Sequence, residues 1–214
     1  MLFWKKETQL DRIKNKLEKA MRKDTAFLVF GASSHKYKVY EVLTAKELAD
    51  WQAKNQVTLP EPYAQFLTKV GNGGAGPYYG IYSIEKATSY TERNAFTTKC
   101  VLHPRMTKEK WNHLIEPLIS DEDISDPEYD AARDRVMGGM LCIGTQGCEY
   151  DMYLVLEGKH RGKSFKLQFF ILIIPFSLSM KTTFWTGMSA GWTKLFWIMI
   201  SRGLAVECRA MKMR

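Results

Sequence analysis

Between residues 71 and 80 the chain reads Gly-Asn-Gly-Gly-Ala-Gly-Pro-Tyr-Tyr-Gly, and neither a helix nor a regular strand runs through such a stretch. Glycine enters left-handed backbone conformations at no steric cost, and Pro77 fixes its own φ and donates no amide hydrogen bond. Upstream, Pro60 opens a helix whose one face carries Tyr63, Phe66, Leu67 and Val70, and Gly71 stops it. Gly71, Gly73 and Gly76 formally satisfy G-x-G-x-x-G. A dinucleotide fingerprint, however, needs a strand before it and a helix after it. Here a helix comes first, and Pro77, Tyr78 and Tyr79 follow. The run therefore reads as a helix ending in a tight turn rather than as a phosphate cradle.

Around that turn the periodicities alternate between helical and extended. Leu10, Ile13, Leu17 and Met21 form an apolar stripe from Glu7 to Lys23. The polar face there mixes both signs, which favours packing on a core over lying on a membrane. Ala26–Phe30 is short, apolar and ended by Gly31, the pattern of a strand. Thr44 and Glu47 have capping-box spacing ahead of a helix through Trp51. Thr107–Ser120 predicts a helix with Trp111, Leu114, Ile115 and Leu118 on its apolar face. Met140–Ile143 and Met152–Leu156 are β-rich runs flanking a turn, hence a hairpin. Helices followed by antiparallel strands imply an α+β fold, with a central antiparallel β-sheet flanked by helices.

A length of 214 residues suggests one domain, and 45% hydrophobic with 25% charged residues excludes collagenous, disulfide-scaffold and wholly disordered chains. The net charge of +8 would ordinarily point to nucleic acid or a membrane surface. It is unevenly placed. Residues 166–214 hold seven basic side chains and one acid, Glu207, leaving residues 1–165 at +2. After Met1-Leu-Phe-Trp4 come Lys5, Lys6 and Glu7, so no secretory signal is visible and a cytoplasmic location is expected. Cys100, Cys142, Cys148 and Cys208 form no C-x-x-C pair and read as reduced thiols. His35, His103, His113 and His160 are scattered. No catalytic set, metal site or cofactor is expected.

Three ordered blocks carry a family resemblance. Leu59-Pro60-x-x-Tyr63-x-x-Phe66-Leu67-x-x-Val70 runs into Gly71, Asn72, Gly73, Gly74, Ala75, Gly76, Pro77, Tyr78, Tyr79, Gly80 and Ile81. Upstream stands Phe30-Gly31-x-Ser33-x-His35-x-Tyr37. Downstream are Gly139-x-Leu141-x-Ile143, Gly147-Cys148 and Leu154-Val155-Leu156-x-Gly158. Over about residues 25–163 the chain resembles the SUKH superfamily, which includes bacterial immunity proteins and fungal cell-wall assembly regulators. The resemblance implies a non-enzymatic single α+β domain, here residues 25–165 behind an N-terminal helix in 1–24. It also implies a cytoplasmic partner-binding role: neutralising a cognate toxin, often a nuclease. It implies structural roles for its glycine and aromatic positions, Gly147 included, and places Cys148 in the same motif.

Residues 166–214 depart from that pattern. Tyr, Asp and Asn together supply 24 of the first 153 residues and none of the last 61. The run Phe169–Ile174 meets Pro175 and is too short to span a bilayer. An anchor through Phe169–Ile200 is an alternative with poor helical periodicity. The genetic code offers a simpler account, because Met and Trp have single codons. Read two bases along, Met180-Lys181 and Met211-Lys212 must each give Glu, and Phe184-Trp185 must give Leu. Trp185-Thr186, Trp192-Thr193, Trp197-Ile198 and Met199-Ile200 must each give Asp. With permissible codons elsewhere the result is an acidic amphipathic helix resembling the ending of bacterial SUKH proteins. The expectation is that translation leaves the frame at about residues 164–168.

The acidic stretch 121–130 has two readings: a solvated loop, or a surface offering Asp121, Glu122, Asp123, Asp126 and Glu128 to a basic toxin. The expected partner is a protein, not nucleic acid or a membrane. A regulatory scaffold is the competing function.

Overall fold

The computed structural model describes residues 7–91, 93–120, 124–147 and 150–168. In chain order the helices are α1 (Gln9–Lys23), α2 (Ala32–His35), α3 (Ala45–Asn55), α4 (Glu61–Lys69), α5 (Ile84–Ser89), α6 (Lys108–Ile119) and α7 (Asp126–Met137). A 3-10 turn at Arg93–Phe96 follows α5. The strands are β1 (Met140–Gly147), β2 (Tyr150–Val155) and β3 (Ser164–Gln168).

Helices begin where a side chain can satisfy the free amides of the first turn. Thr8 with Asp11 and Thr44 with Glu47 form reciprocal capping boxes at α1 and α3. Ser125 donates its N–H and O–H to the Glu128 carboxylate at 3.1 and 2.8 Å to open α7. Pro60 is the N-cap of α4 and Pro62 stands in its first turn, where a missing amide leaves no intrahelical bond unmade.

The strands form one antiparallel sheet in the order β1-β2-β3. Met140 pairs with Val155 and Leu141 with Leu154, and Tyr153 pairs in turn with Phe165. Alternation sends Leu141, Ile143, Met152 and Leu154 to one face, where they meet Tyr63, Phe66 and Leu67 of α4 and Ile84 of α5. The other face carries Met140, Cys142, Tyr153, Val155 and Leu167, covered by Val136 and Met137 of α7 and the apolar side of α6. The fold is α+β, with a central antiparallel sheet flanked by helices.

The expected helices at α1, α3, α4 and α6 and the β1–β2 hairpin are all present. Ala26–Phe30 is not a strand. The amides of Leu28 and Val29 donate to the Asp24 carboxylate at 2.7 and 3.0 Å instead of to a neighbouring strand, and Phe27 sits at φ 55°. Half of the acidic stretch is the first turn of α7 rather than loop. β3 crosses the position where composition changes, adding a strand that residue periodicity did not reveal. Residues 169–214, which include both apolar runs of the tail, lie outside the described residues.

Candidate functional site

The glycine-rich turn is built into the sheet side of the molecule by its backbone. Gly74 exchanges both amide–carbonyl hydrogen bonds with Ile81 at 2.8 Å. Ala75 N–H donates to the Lys38 carbonyl at 2.7 Å, and Tyr40 N–H to the Gly73 carbonyl at 3.1 Å. Tyr82 N–H then reaches the Ile143 carbonyl of β1 at 2.9 Å, so the isolated bridges Val39–Gly74 and Gly74–Ile81 are tied to the β1 edge of the sheet. This requires glycine at position 74: φ is +94°, and a Cβ would lie 2.5 Å from the Lys38 carbonyl oxygen.

Asn72 locks the turn to α5. Its Oδ1 accepts from Ile84 N–H at 2.8 Å, and its Nδ2 donates to the Glu85 carboxylate at 3.1 and 3.3 Å. Leu59, Pro60, Gly71, Asn72, Gly73, Gly74, Gly76, Pro77 and Gly80 are all buried. Tyr78 is half-buried, Gly147 is half-buried at the hairpin end, and Tyr79 is 41% exposed. Cys148 lies outside the described residues. The structure therefore gathers the motif into one knot and leaves a single aromatic of it at the surface.

A second polar device went unnoticed in the sequence. Asp24, 4% exposed, caps α1 and collects three donors: the amides of Leu28 and Val29, and the Tyr37 hydroxyl at 2.6 Å. Burial and the adjoining carboxylate push the Tyr37 phenol well above its usual range. The available signal was an acid placed just beyond a helix end, two residues before the apolar stretch Ala26–Phe30. His35, beside the same knot, accepts the Tyr37 N–H on Nδ1 at 3.0 Å. Burial lowers its pKa, while hydrogen bonds to the backbone at Tyr78 and Gly76 work in the opposite direction.

Of the acidic candidates, two lie within the described residues. Asp126 and Glu128 are exposed in the first turn of α7, where negative charge favours the helix N-terminus. Asp121, Glu122 and Asp123 lie outside the described residues. Burial pushes the Cys100 thiol up to about 11 and that of Cys142 to about 12, so neither is a ready thiolate at neutral pH. A cavity of about 270 Å³ opens between α7 and the sheet, with Arg133 and Asp151 set among Tyr90, Tyr129 and Tyr153. Among the described residues no three His, Cys, Asp or Glu side chains group as metal ligands, and no helix is long and apolar enough to cross a membrane.

A helix running into a glycine-rich turn, stitched to an antiparallel hairpin, defines an α+β domain. The sequence profile of the SMI1 / KNR4 family (SUKH-1) matches residues 42–172, more than half of the chain. The chain belongs to this family. No curated protein and no solved structure matches it.

Proposed function

We propose that the chain is an immunity-type interaction protein that binds a cognate protein toxin and neutralises it by contact, without catalysis. One observation carries this reading. The polar and glycine positions at the centre of the motif serve the fold: Asn72 holds α5, and Gly74 holds Ile81 and packs against Lys38. What remains for recognition is the outer surface, as a protein-binding role requires. A soluble cytoplasmic antidote acting on a nuclease fits the near-neutral charge of residues 1–165 better than nucleic-acid binding does. Co-purification with a toxin encoded beside this gene, and rescue of cells expressing it, is the expected result. Failure to rescue against every neighbouring toxin would overturn the reading.

The out-of-frame reading of residues from about 164–168 onward bears on the partner. By the codon constraints above, the alternative ending from Met180 carries about eleven acids and one base, taking the intact protein to roughly −8 or −9 and favouring a basic toxin. Such a helix would also bury large apolar side chains worth about 1.5–3 kcal/mol each, so the chain as written is expected to be destabilised relative to the in-frame protein. Sequencing the DNA across codons 164–168 decides it: an uninterrupted frame there removes the proposal.

A further inference from the structure

We propose that residues 38–43 form an open sheet edge on which a second copy of this chain pairs antiparallel, Tyr40 facing Tyr40 across a two-fold axis. Such pairing is independent of any toxin.

Every described peptide bond is trans, so its C=O and N–H point opposite ways. The group that each peptide spends inward therefore fixes what it offers outward. The Lys38 carbonyl accepts from Ala75 N–H, and Tyr40 N–H donates to the Gly73 carbonyl, so Val39 turns both its N–H and its C=O outward. The Tyr40 carbonyl faces Gly71, 2.8 Å from where a Cβ would stand, and the Glu41 carbonyl accepts from Asn72 N–H at 3.1 Å. Glu41 and Val42 thus both aim their N–H groups outward. Leu43 N–H donates to the Leu67 carbonyl at 3.0 Å, which leaves the Val42 carbonyl outward as well. None of these five groups has a hydrogen-bond partner among the described residues.

Two consecutive outward amides are the pattern of a β-bulge, in which two residues oppose one on the neighbouring strand. The edge then reads as a rung at Val39, a spacer at Tyr40 and a rung at Glu41–Val42. Turned by a two-fold rotation, this order meets itself: Val39 of one copy faces Glu41–Val42 of the other, and Tyr40 faces Tyr40. The Val39 carbonyl accepts both N–H groups opposite it on its two lone pairs, and the Val39 N–H donates to the Val42 carbonyl. All five outward groups of each copy are matched in this register. Tyr40 is 58% exposed and Val42 42%, on a segment of β-favouring residues with no proline to blunt its edge. Lys38 and Glu41 are exposed too, and the register sets Lys38 of one copy one residue past the rung that holds Glu41 of the other. Opposite charges then meet on both sides of the axis. A foreign strand would owe nothing to this symmetry, whereas a second copy uses all of it.

Sedimentation velocity on the full chain over a dilution series should show a weak, concentration-dependent dimer, because so short an edge buries little area. Glu41→Pro removes one outward N–H and spares the carbonyl that Asn72 uses. It should weaken the dimer about 30-fold or more, since symmetry repeats each loss, while melting in dilute solution as wild type does. Glu41→Ala keeps that N–H and should stay within about threefold. Tyr40→Cys should link two copies on mild oxidation with oxidised glutathione, as residues facing each other in such a pair lie close enough for a disulfide. Lys38→Cys should not. A chain that stays monomeric throughout, or a Glu41→Pro variant that pairs as wild type does, would overturn the proposal. Equal linking of both cysteine variants would put the copies in another register and overturn it too. Amide exchange reads the other occupants. Slow exchange at Val39 and Glu41 in the dilute monomer would mean that the chain's own residues cover the edge. Slowing only when the purified toxin domain encoded beside this gene is added would make the occupant a foreign strand. Either result overturns the second copy.

Discussion

The two faces of the sheet are held by different means. On the glycine side, Tyr63, Phe66, Leu67 and Leu154 are wholly buried, and polar pins from Asn72, Asp24 and Tyr37 fix the loops around them. On the other side Leu102, Met140 and Val155 are as deeply buried, but α6 contributes no fully buried residue: Trp111, Leu114, Ile115 and Leu118 are half-buried, and a cavity opens beside α7. The first face is covered by helix residues that are wholly buried and by loops held with directional bonds, whereas α6 covers its part of the second with half-buried apolar area. Stability and uniqueness should therefore be concentrated on the glycine side.

The largest expected contrast comes from truncating one anchor on each face. Phe66→Ala removes a wholly buried ring and should cost about 3–5 kcal/mol. Leu114→Ala, on half-buried α6, should cost no more than about 1.5 kcal/mol, because part of that surface is already wet. Urea midpoints at constant m-value measure both. Equal losses would break the asymmetry.

Next in size is Gly74→Ala. A positive φ alone penalises an L side chain by about 1–3 kcal/mol, and the collision with the Lys38 carbonyl adds to it. Circular dichroism melts should show a large fall in midpoint; an unchanged melt would mean that the turn is compliant and the knot not a constraint.

Tyr37→Phe sharpens the comparison at the level of one polar pin. It deletes a 2.6 Å hydrogen bond to a buried carboxylate while keeping the ring, for an expected loss of about 1.5–3 kcal/mol. Amide exchange at Leu28 and Val29 should accelerate with it, since those N–H groups share the same acceptor. Unchanged exchange there would show that the loop does not depend on the clamp.

What was legible in the sequence followed from the range of the interactions involved. Capping at Thr44, the stop at Gly71 and the β1–β2 alternation are set by residues within one turn or one strand, so their patterns survive without tertiary context. Ala26–Phe30 misled because its amides bond to an acid four and five residues back, which overrides β propensity. α7 was hidden behind an acidic start, although Pro127 in its first turn was a usable signal. The motif residues of the candidate site were readable as a block. The exposure of Tyr79 was not, because it depends on Phe30 and Gly147, which are brought together only by the fold.

The smallest effect is a pH dependence from His35, which joins the polar pins of the glycine side. Burial favours its neutral form, and Nδ1 must stay unprotonated to accept the Tyr37 N–H. Its pKa in the fold lies below the ordinary 6.5, so as pH falls through that value the unfolded chain takes up a proton before the native protein does. The contribution of His35 is therefore fully present above that pH and declines as acid is added, until the folded imidazole itself titrates. Thermal midpoints of wild type should fall between pH 7 and the mildly acidic range, and His35→Gln should show a shallower decline over the same interval. Parallel declines would assign the acid sensitivity to groups outside the knot, and the glycine side would then owe its rigidity to packing and to the carboxylate clamp alone.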